Sequence, residues 1–133
     1  MYPRDWKLFL EKGDGKEIPI AQLSADMVAH LGAASDKVRF RHDYALKAVT
    51  KHGVTYSDFG YLFDVVDCGR ALADRPNHIL FMHLTHRGWF QAAIKCTQDT
   101  RTLYVATFYK TNLLEVNRKT RRHPVLRKDK WAA

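Results

Sequence analysis

The sequence has few cysteines and no long apolar segment. Its two cysteines, Cys68 and Cys96, are too few for the disulfide framework of a small secreted domain, and no Cys/His spacing resembles a zinc site. The apolar runs, such as residues 79–82, are far shorter than the roughly 20 residues that cross a bilayer. The N-terminus also lacks the apolar stretch of a signal peptide. We therefore predict a soluble, cytoplasmic protein with no membrane partner.

The motifs of several enzyme classes are also missing from the sequence. It contains no P-loop, no dinucleotide fingerprint, no Gly-x-Ser-x-Gly elbow and no His-Glu-x-x-His pair. Its carboxylates are scattered rather than paired, which argues against a two-metal nuclease. Any reaction is therefore predicted to need neither a metal nor an organic cofactor.

Positive charge, by contrast, is abundant. The chain of 133 residues has 22 Lys and Arg against 14 Asp and Glu, which gives a formal charge of +8. Such an excess favours a polyanionic partner, namely a nucleic acid, an anionic membrane surface or an acidic protein; a merely basic surface is the alternative. Much of the charge lies near the C-terminus, in Arg118, Lys119, Arg121, Arg122, His123, Arg127, Lys128 and Lys130. A run of this kind binds polyanions through charge alone.

The periodicity of apolar residues predicts helices in the first half of the chain. A short helix at 24–31 lies within residues 1–36, which we predict to form an N-terminal arm or accessory helix. A helix at 41–52 ends before Gly53, and a further helix begins with a capping box at Thr55 and ends near residue 68.

The second half of the chain is predicted to be mostly strands. Three candidates, 78–84, 89–96 and 102–109, are separated by short turns that favour an antiparallel meander. Simple alternation in the third strand would place Leu103, Val105 and Thr107 on one face. Asn112 would then cap a short C-terminal helix. The predicted fold is α+β, with N-terminal helices packed on the meander. The predicted domain boundaries are an α+β domain at 37–122 and a basic tail at 123–133.

A first group of candidate functional residues lies around the helix at 41–52. It consists of Arg39, Arg41, His42, Lys47, Lys51 and His52. RNA cleavage without metal needs a base for the 2′-hydroxyl, an acid for the leaving oxygen and cations for the charged phosphorane. Histidine suits the proton transfers, and lysine and arginine suit the phosphate. A solvated helix face with a C-terminal histidine cap would have the same composition.

A second group lies at the end of the last strand. It consists of Lys95, Thr107, Tyr109, Lys110, Thr111 and Asn112. Hydroxyl groups on one face could hydrogen bond to phosphate oxygens, and a tyrosine could also stack on a base. Thr and Tyr are equally common on half-buried strand faces without any such role.

The stretch from about residue 38 to 122 resembles the barnase–EndoU–colicin–RelE-like nuclease superfamily, and within it the phage-associated members and BrnT-type toxins. Three segments carry the resemblance: Lys51-His52-Gly53 with Asp58 opening the next helix, the strand at 92–95, and the strand-to-helix passage at 106–112. The resemblance implies two helices followed by a four-stranded antiparallel sheet, and a metal-independent RNase restrained by an antitoxin or immunity protein.

The same resemblance implies roles for individual residues. His52 with Thr107 or Tyr109 would be catalytic, and Lys51 and Lys95 would bind phosphate. Apart from the resemblance, the residues themselves make His42 the next candidate for proton transfer and extend the set of cations. The phosphate-binding candidates are Lys47, Lys51, Lys95, Arg118, Arg121 and Arg122.

The leading hypothesis from sequence is therefore an endoribonuclease that acts as a toxin or phage-encoded effector. The second is an inactive relative that binds nucleic acid or a host protein, such as a phage inhibitor of host defence. A structural or DNA-associated phage protein is the third.

Overall fold

The computed structural model of this chain describes residues 5–130 and contains one seven-stranded sheet in the order β1-β2-β6-β5-β4-β3-β7. The neighbouring strands pair antiparallel except for β2 and β6, which are parallel. The predicted α+β class and antiparallel character are confirmed. The strands are β1 Glu17–Gln22, β2 Lys37–Arg41, β3 Arg70–Ala73, β4 His78–Thr85, β5 Gly88–Cys96, β6 Leu103–Lys110 and β7 Val125–Arg127.

Helices connect these strands and flank the sheet. They are α1 Trp6–Lys12, α2 Ala25–Leu31, α3 His42–His52, α4 Tyr56–Phe59, α5 Leu62–Cys68 and α6 Leu113–Arg122. Local capping explains most of their bounds: the Ser24 hydroxyl caps α2, and Asn112 accepts from the Glu115 amide at the start of α6. The one helix predicted from Thr55 to residue 68 is instead two helices, separated at Gly60 and Tyr61. None of the helices in the described part of the chain has the length and apolarity to cross a membrane.

The predicted meander is present as β4, β5 and β6, which pair in succession. The alternation predicted for β6 is wrong in its second half, because the pairing slips by one residue between Ile94–Val105 and Ala93–Thr107. Ala106 is the extra residue of this β-bulge. The bulge puts Phe108 on the face of Leu103 and Val105, and it puts Thr107 on the opposite face.

One face of the sheet, the first face, carries the main core. The helix α5 contacts β1, β4 and β5, so the sheet must curve around it, because β1 and β4 are separated by three strands. The predicted N-terminal arm contributes to the same core: Trp6 in α1 stacks on Phe59 with ring centroids 4.8 Å apart. Phe9 and Leu10 are buried beside them.

The second face of the sheet is covered only in part, by α6. Val116 is completely buried there, in a cluster with the strand residues Leu72, Leu80, Met82 and Ala93. The strands β3, β4 and β5 supply this cluster, so α6 covers that half of the face. The half formed by β6, β2 and the end of β5 lies outside it.

The C-terminal segment, predicted as a basic tail, is attached to the sheet edge through β7. The Arg127 guanidinium donates to the backbone carbonyls of Val66 (2.8 Å) and Gly69 (3.0 Å from Nε) at the end of α5. It also lies 5.5 Å from the centre of the Phe81 ring. Burial lowers the pKa of Arg127, although the nearby Asp67 carboxylate opposes this effect. Arg127 therefore caps α5, where a cation also suits the helix dipole.

We expect Arg127→Met to lower the free energy of unfolding by about 1–3 kcal/mol, because two carbonyls lose a charged donor. Urea denaturation followed by circular dichroism would measure the change. Lys128→Met is the matched control, since Lys128 is the exposed neighbour on the same segment. Equal losses in the two variants would contradict the capping role.

Candidate nucleic-acid interface

The uncovered half of the second face presents polar and charged side chains. We call it the open face and define it by Arg39 on β2, Lys95 on β5, and Tyr104, Thr107 and Tyr109 on β6. Strand pairing places Lys95 opposite Tyr104 and Tyr104 opposite Arg39, so these side chains share a face. All five are exposed or half-buried. Two clusters lie on or beside this surface, one at each end of β6.

The first cluster surrounds Tyr109 and contains His52, the last residue of α3. The imidazole ring stacks on the phenol ring, with centroids 4.8 Å apart and planes inclined by 29°. His52 is exposed and Tyr109 is half-buried. The helix α3 packs along β6, and its left-handed cap at Gly53 ends the helix directly after His52. The structure thus brings together the two leading catalytic candidates.

Gln91 and Lys119 both donate hydrogen bonds to the Tyr109 hydroxyl. Its oxygen accepts from Gln91 Nε2 at 2.8 Å and from Lys119 Nζ at 3.3 Å. Lys119 also donates to Gln91 Oε1 at 2.6 Å, which closes a three-membered network. Gln91 is buried, so its amide needs these partners. Because the phenol oxygen accepts twice, its own proton is left to donate to an outside acceptor.

Thr107 and Lys95 lie further along the same face. Thr107 is exposed opposite Ala93, two residues from Tyr109 and therefore roughly 7 Å away along the strand. Lys95 is exposed on β5, opposite both His78 and Tyr104. Both candidates are thus on the surface that carries Tyr109, but Lys95 lies towards the far end of it.

His42 is separate from this surface. Its side chain is buried in the core, where Nε2 lies 2.8 Å from the Leu10 carbonyl oxygen and the ring packs edge-on against Phe9. Its Nδ1 lies 3.9 Å from an Asp14 carboxylate oxygen. These contacts connect α3 to α1 and the turn that follows it. His42 is therefore a structural residue in this arrangement.

The remaining phosphate-binding candidates lie on helix surfaces. Lys47 and Lys51 are exposed on α3, and the Lys47 ammonium lies 5.1 Å from the Tyr44 ring centre. Arg118 on α6 donates to Glu115 at 2.8 Å, so that its charge is already paired. Arg121 and Arg122 are exposed in the last turn of α6. None of these contacts links them to the Tyr109 cluster.

Sequence reasoning missed Gln91 and placed Lys119 only within the basic run. The signal for Gln91 was its position among the apolar residues 89–94 of β5, where a buried amide demands partners. The signal for Lys119 was weaker, because the sequence of the basic C-terminal run does not show that Lys119 contacts the sheet.

No three His, Cys, Asp or Glu side chains within residues 5–130 are grouped so that they could hold a metal ion. Comparisons with known proteins add no relationship: no family model matches the chain, and neither does any curated protein or solved structure.

We expect Gln91→Leu and Lys119→Met to be coupled in a double-mutant cycle of unfolding free energies. Lys119→Met leaves the buried Gln91 Oε1 without its donor, and Gln91→Leu removes one acceptor from the half-buried Lys119 ammonium. The double change removes both groups, so the coupling should be about 0.5–3 kcal/mol. The matched control replaces Lys119→Met by Arg121→Met, which changes an exposed cation on the same helix. A coupling no larger than in the control cycle would show that the network contributes nothing to stability.

Proposed function

We propose that the protein binds RNA across the open face and is a metal-independent endoribonuclease with His52 and Tyr109 at its catalytic centre. The observation that carries this proposal is the stacked His52–Tyr109 pair, supported by Lys119, at the edge of a polar sheet face. The pair combines an exposed proton-transfer group, a free phenol proton and a fixed positive charge.

Each group has a role in cleavage. A base removes the 2′-hydroxyl proton, the 2′-oxygen forms a bond to phosphorus, and the bond from phosphorus to the 5′-oxygen breaks as that oxygen takes a proton. The products are a 2′,3′-cyclic phosphate and a free 5′-hydroxyl. His52 would exchange the protons, since imidazole suits both directions near neutrality. Tyr109 and Lys119 would stabilise charge on the phosphate oxygens.

The resemblance to the barnase–EndoU–colicin–RelE-like superfamily is a second support, and it extends the proposal to a biological role. In that role the protein is a toxin or phage-encoded effector, restrained by an acidic antitoxin or immunity protein. The open face with its cations would be the surface that such an inhibitor covers, because it would compete there with the phosphates of RNA.

A second candidate function is RNA binding without cleavage. The observation that favours it is that the Tyr109 hydroxyl accepts hydrogen bonds from both Gln91 and Lys119. These bonds would stabilise the fold even if Tyr109 had no catalytic role. His42 is buried, so it is not accessible to RNA as a second proton-transfer group. An inactive relative that binds RNA or a host protein would retain the same open face.

We expect RNA affinity to fall steeply with salt. Contacts to about three phosphates of a single strand would weaken binding about 20-fold between 50 and 200 mM salt. Fluorescence anisotropy with a labelled single-stranded RNA would measure this dependence. Lys95→Ala should reduce the slope, whereas Lys7→Ala, which removes an exposed charge on α1, should leave it unchanged. An RNA affinity that does not change with salt concentration would argue against contacts between this face and phosphates.

We expect the purified protein to cleave RNA in EDTA, and His52→Ala to slow cleavage by about a hundredfold or more, the usual effect of losing a general acid or base. His30→Ala is the control, because His30 is exposed on α2 and does not belong to the Tyr109 cluster. Circular dichroism must show that each variant is folded. Normal cleavage by folded His52→Ala would assign proton transfer elsewhere. Intact RNA in both EDTA and magnesium would eliminate the enzyme and leave the binding function.

A further inference from the structure

A row of four polar side chains crosses the open face at the end opposite Tyr109. His78 on β4 pairs with Lys95 on β5, Lys95 with Tyr104 on β6, and Tyr104 with Arg39 on β2. Directly opposed residues in neighbouring strands place their side chains about 5 Å apart on one face. We call this set the cross-strand row. Its members come from four different strands, so neither sequence spacing nor one helix face could reveal it.

His78 is held in a defined orientation at one end of the row. Its Nδ1 lies 2.9 Å from Asn77 Oδ1, and the Asn77 amide nitrogen donates to the Cys96 carbonyl oxygen at 3.5 Å. That second bond fixes which way the amide points, so the oxygen faces the imidazole and accepts from Nδ1–H. The proton of a neutral His78 is therefore on Nδ1, and Nε2 is the nitrogen left for another partner.

The other end of the row holds a cation next to a carboxylate. Arg39 is half-exposed and lies 3.4 Å from Glu17 on β1. Burial and the nearby Glu17 charge raise the pKa of Tyr104. Lys95 is exposed between His78 and Tyr104. The row thus offers two cations, Lys95 and Arg39, with the Glu17 carboxylate at its margin. His78 Nε2 is an acceptor in the neutral ring and becomes a third donor to phosphate only when the ring is protonated.

We propose that His78, Lys95, Tyr104 and Arg39 form a phosphate-binding site that takes a second phosphate of the RNA strand bound at Tyr109. Gln91 and Lys95 are four positions apart on β5, which separates the two clusters by roughly 13 Å. That distance is too long for one phosphate to contact both. The proposal deepens the proposed function and rests on it for the identity of the ligand. It implies a single strand of several nucleotides running along β6.

Phosphate binding at the row should be linked to proton uptake by His78. Burial and the Arg75 charge lower the pKa of His78, with a smaller contribution in the same direction from Lys95, while Asp74 opposes them. Asp74 is itself close to His123, at 3.8 Å. The free site is therefore neutral at His78 near pH 7. A bound phosphate adds negative charge and raises that pKa, so affinity should increase as pH falls through the pKa of the bound state.

The test is an NMR titration of the full chain with inorganic phosphate and, separately, with tri-deoxythymidylate, which lacks the 2′-hydroxyl and is not cleaved by this chemistry. We expect both probes to shift the ring signals of His78 and to raise its pKa. Lys95→Ala should weaken binding about tenfold, the effect of losing one charged hydrogen bond, whereas Lys7→Ala should not. Glu17→Gln should tighten binding, because it removes a negative charge and frees Arg39.

The outcomes separate this site from catalysis. If RNA is not cleaved but both probes bind at the row, the phosphate site stands and the enzyme proposal fails. If phosphate binds and the trinucleotide does not displace it, the row is not a subsite for a nucleic-acid strand, and that assignment is overturned. Equal effects of Lys95→Ala and Lys7→Ala, or no response at His78, would overturn the site itself.

Discussion

The arrangement of the open face depends on the short parallel pairing between β2 and β6. Only Val38 and Arg39 pair, with Leu103 and Tyr104, before the chain leaves β2 at Arg41 and enters α3 without a loop. The helix then packs along β6. Its 11 residues span roughly 16 Å, which is enough to cover the roughly 13 Å that separates Tyr104 from Tyr109 along the bulged strand. The last turn of the helix therefore reaches the Tyr109 ring, on which His52 stacks.

A second constraint is the β-bulge at Ala106. Tyr104 and Tyr109 are five residues apart, so in a regular strand they would lie on opposite faces. The extra residue changes that parity, and both rings lie on the second face together with Thr107. Bulges are common where a strand has to redirect a functional side chain. Without this one, Tyr109 would be in the main core and Phe108 would be exposed, so the packing of Phe108 against Phe59 and Phe90 also holds the bulge in place.

The sequence predicted those parts of the fold that depend on local chemistry. The helix ends at Ser24, Gly53, Thr55 and Asn112 follow from caps, and the meander follows from short turns and apolar strands. The strands β1, β2, β3 and β7 were not predicted, because each is short and acquires its partner from elsewhere in the chain. The candidate site was likewise predictable only in part. His52 and Tyr109 were identified as residue types, but their stacking depends on the β2–β6 pairing, and the cross-strand row depends entirely on register.

The structure also changes the interpretation of the basic C-terminal run, which the sequence suggested would bind polyanions through charge alone. Of the cations in the C-terminal run, Arg127 is committed to carbonyls, Arg118 to Glu115 and Lys119 to Gln91 and Tyr109. A residue held in this way contributes to stability or to the shape of a site more than to long-range attraction. On the open face, strand pairing brings together Lys95 and Arg39, two cations that are isolated in the sequence. A polyanion there would meet these two strand cations and Lys119 in fixed positions, whereas Arg121, Arg122 and Lys128 of the basic run are exposed and could act only through long-range attraction.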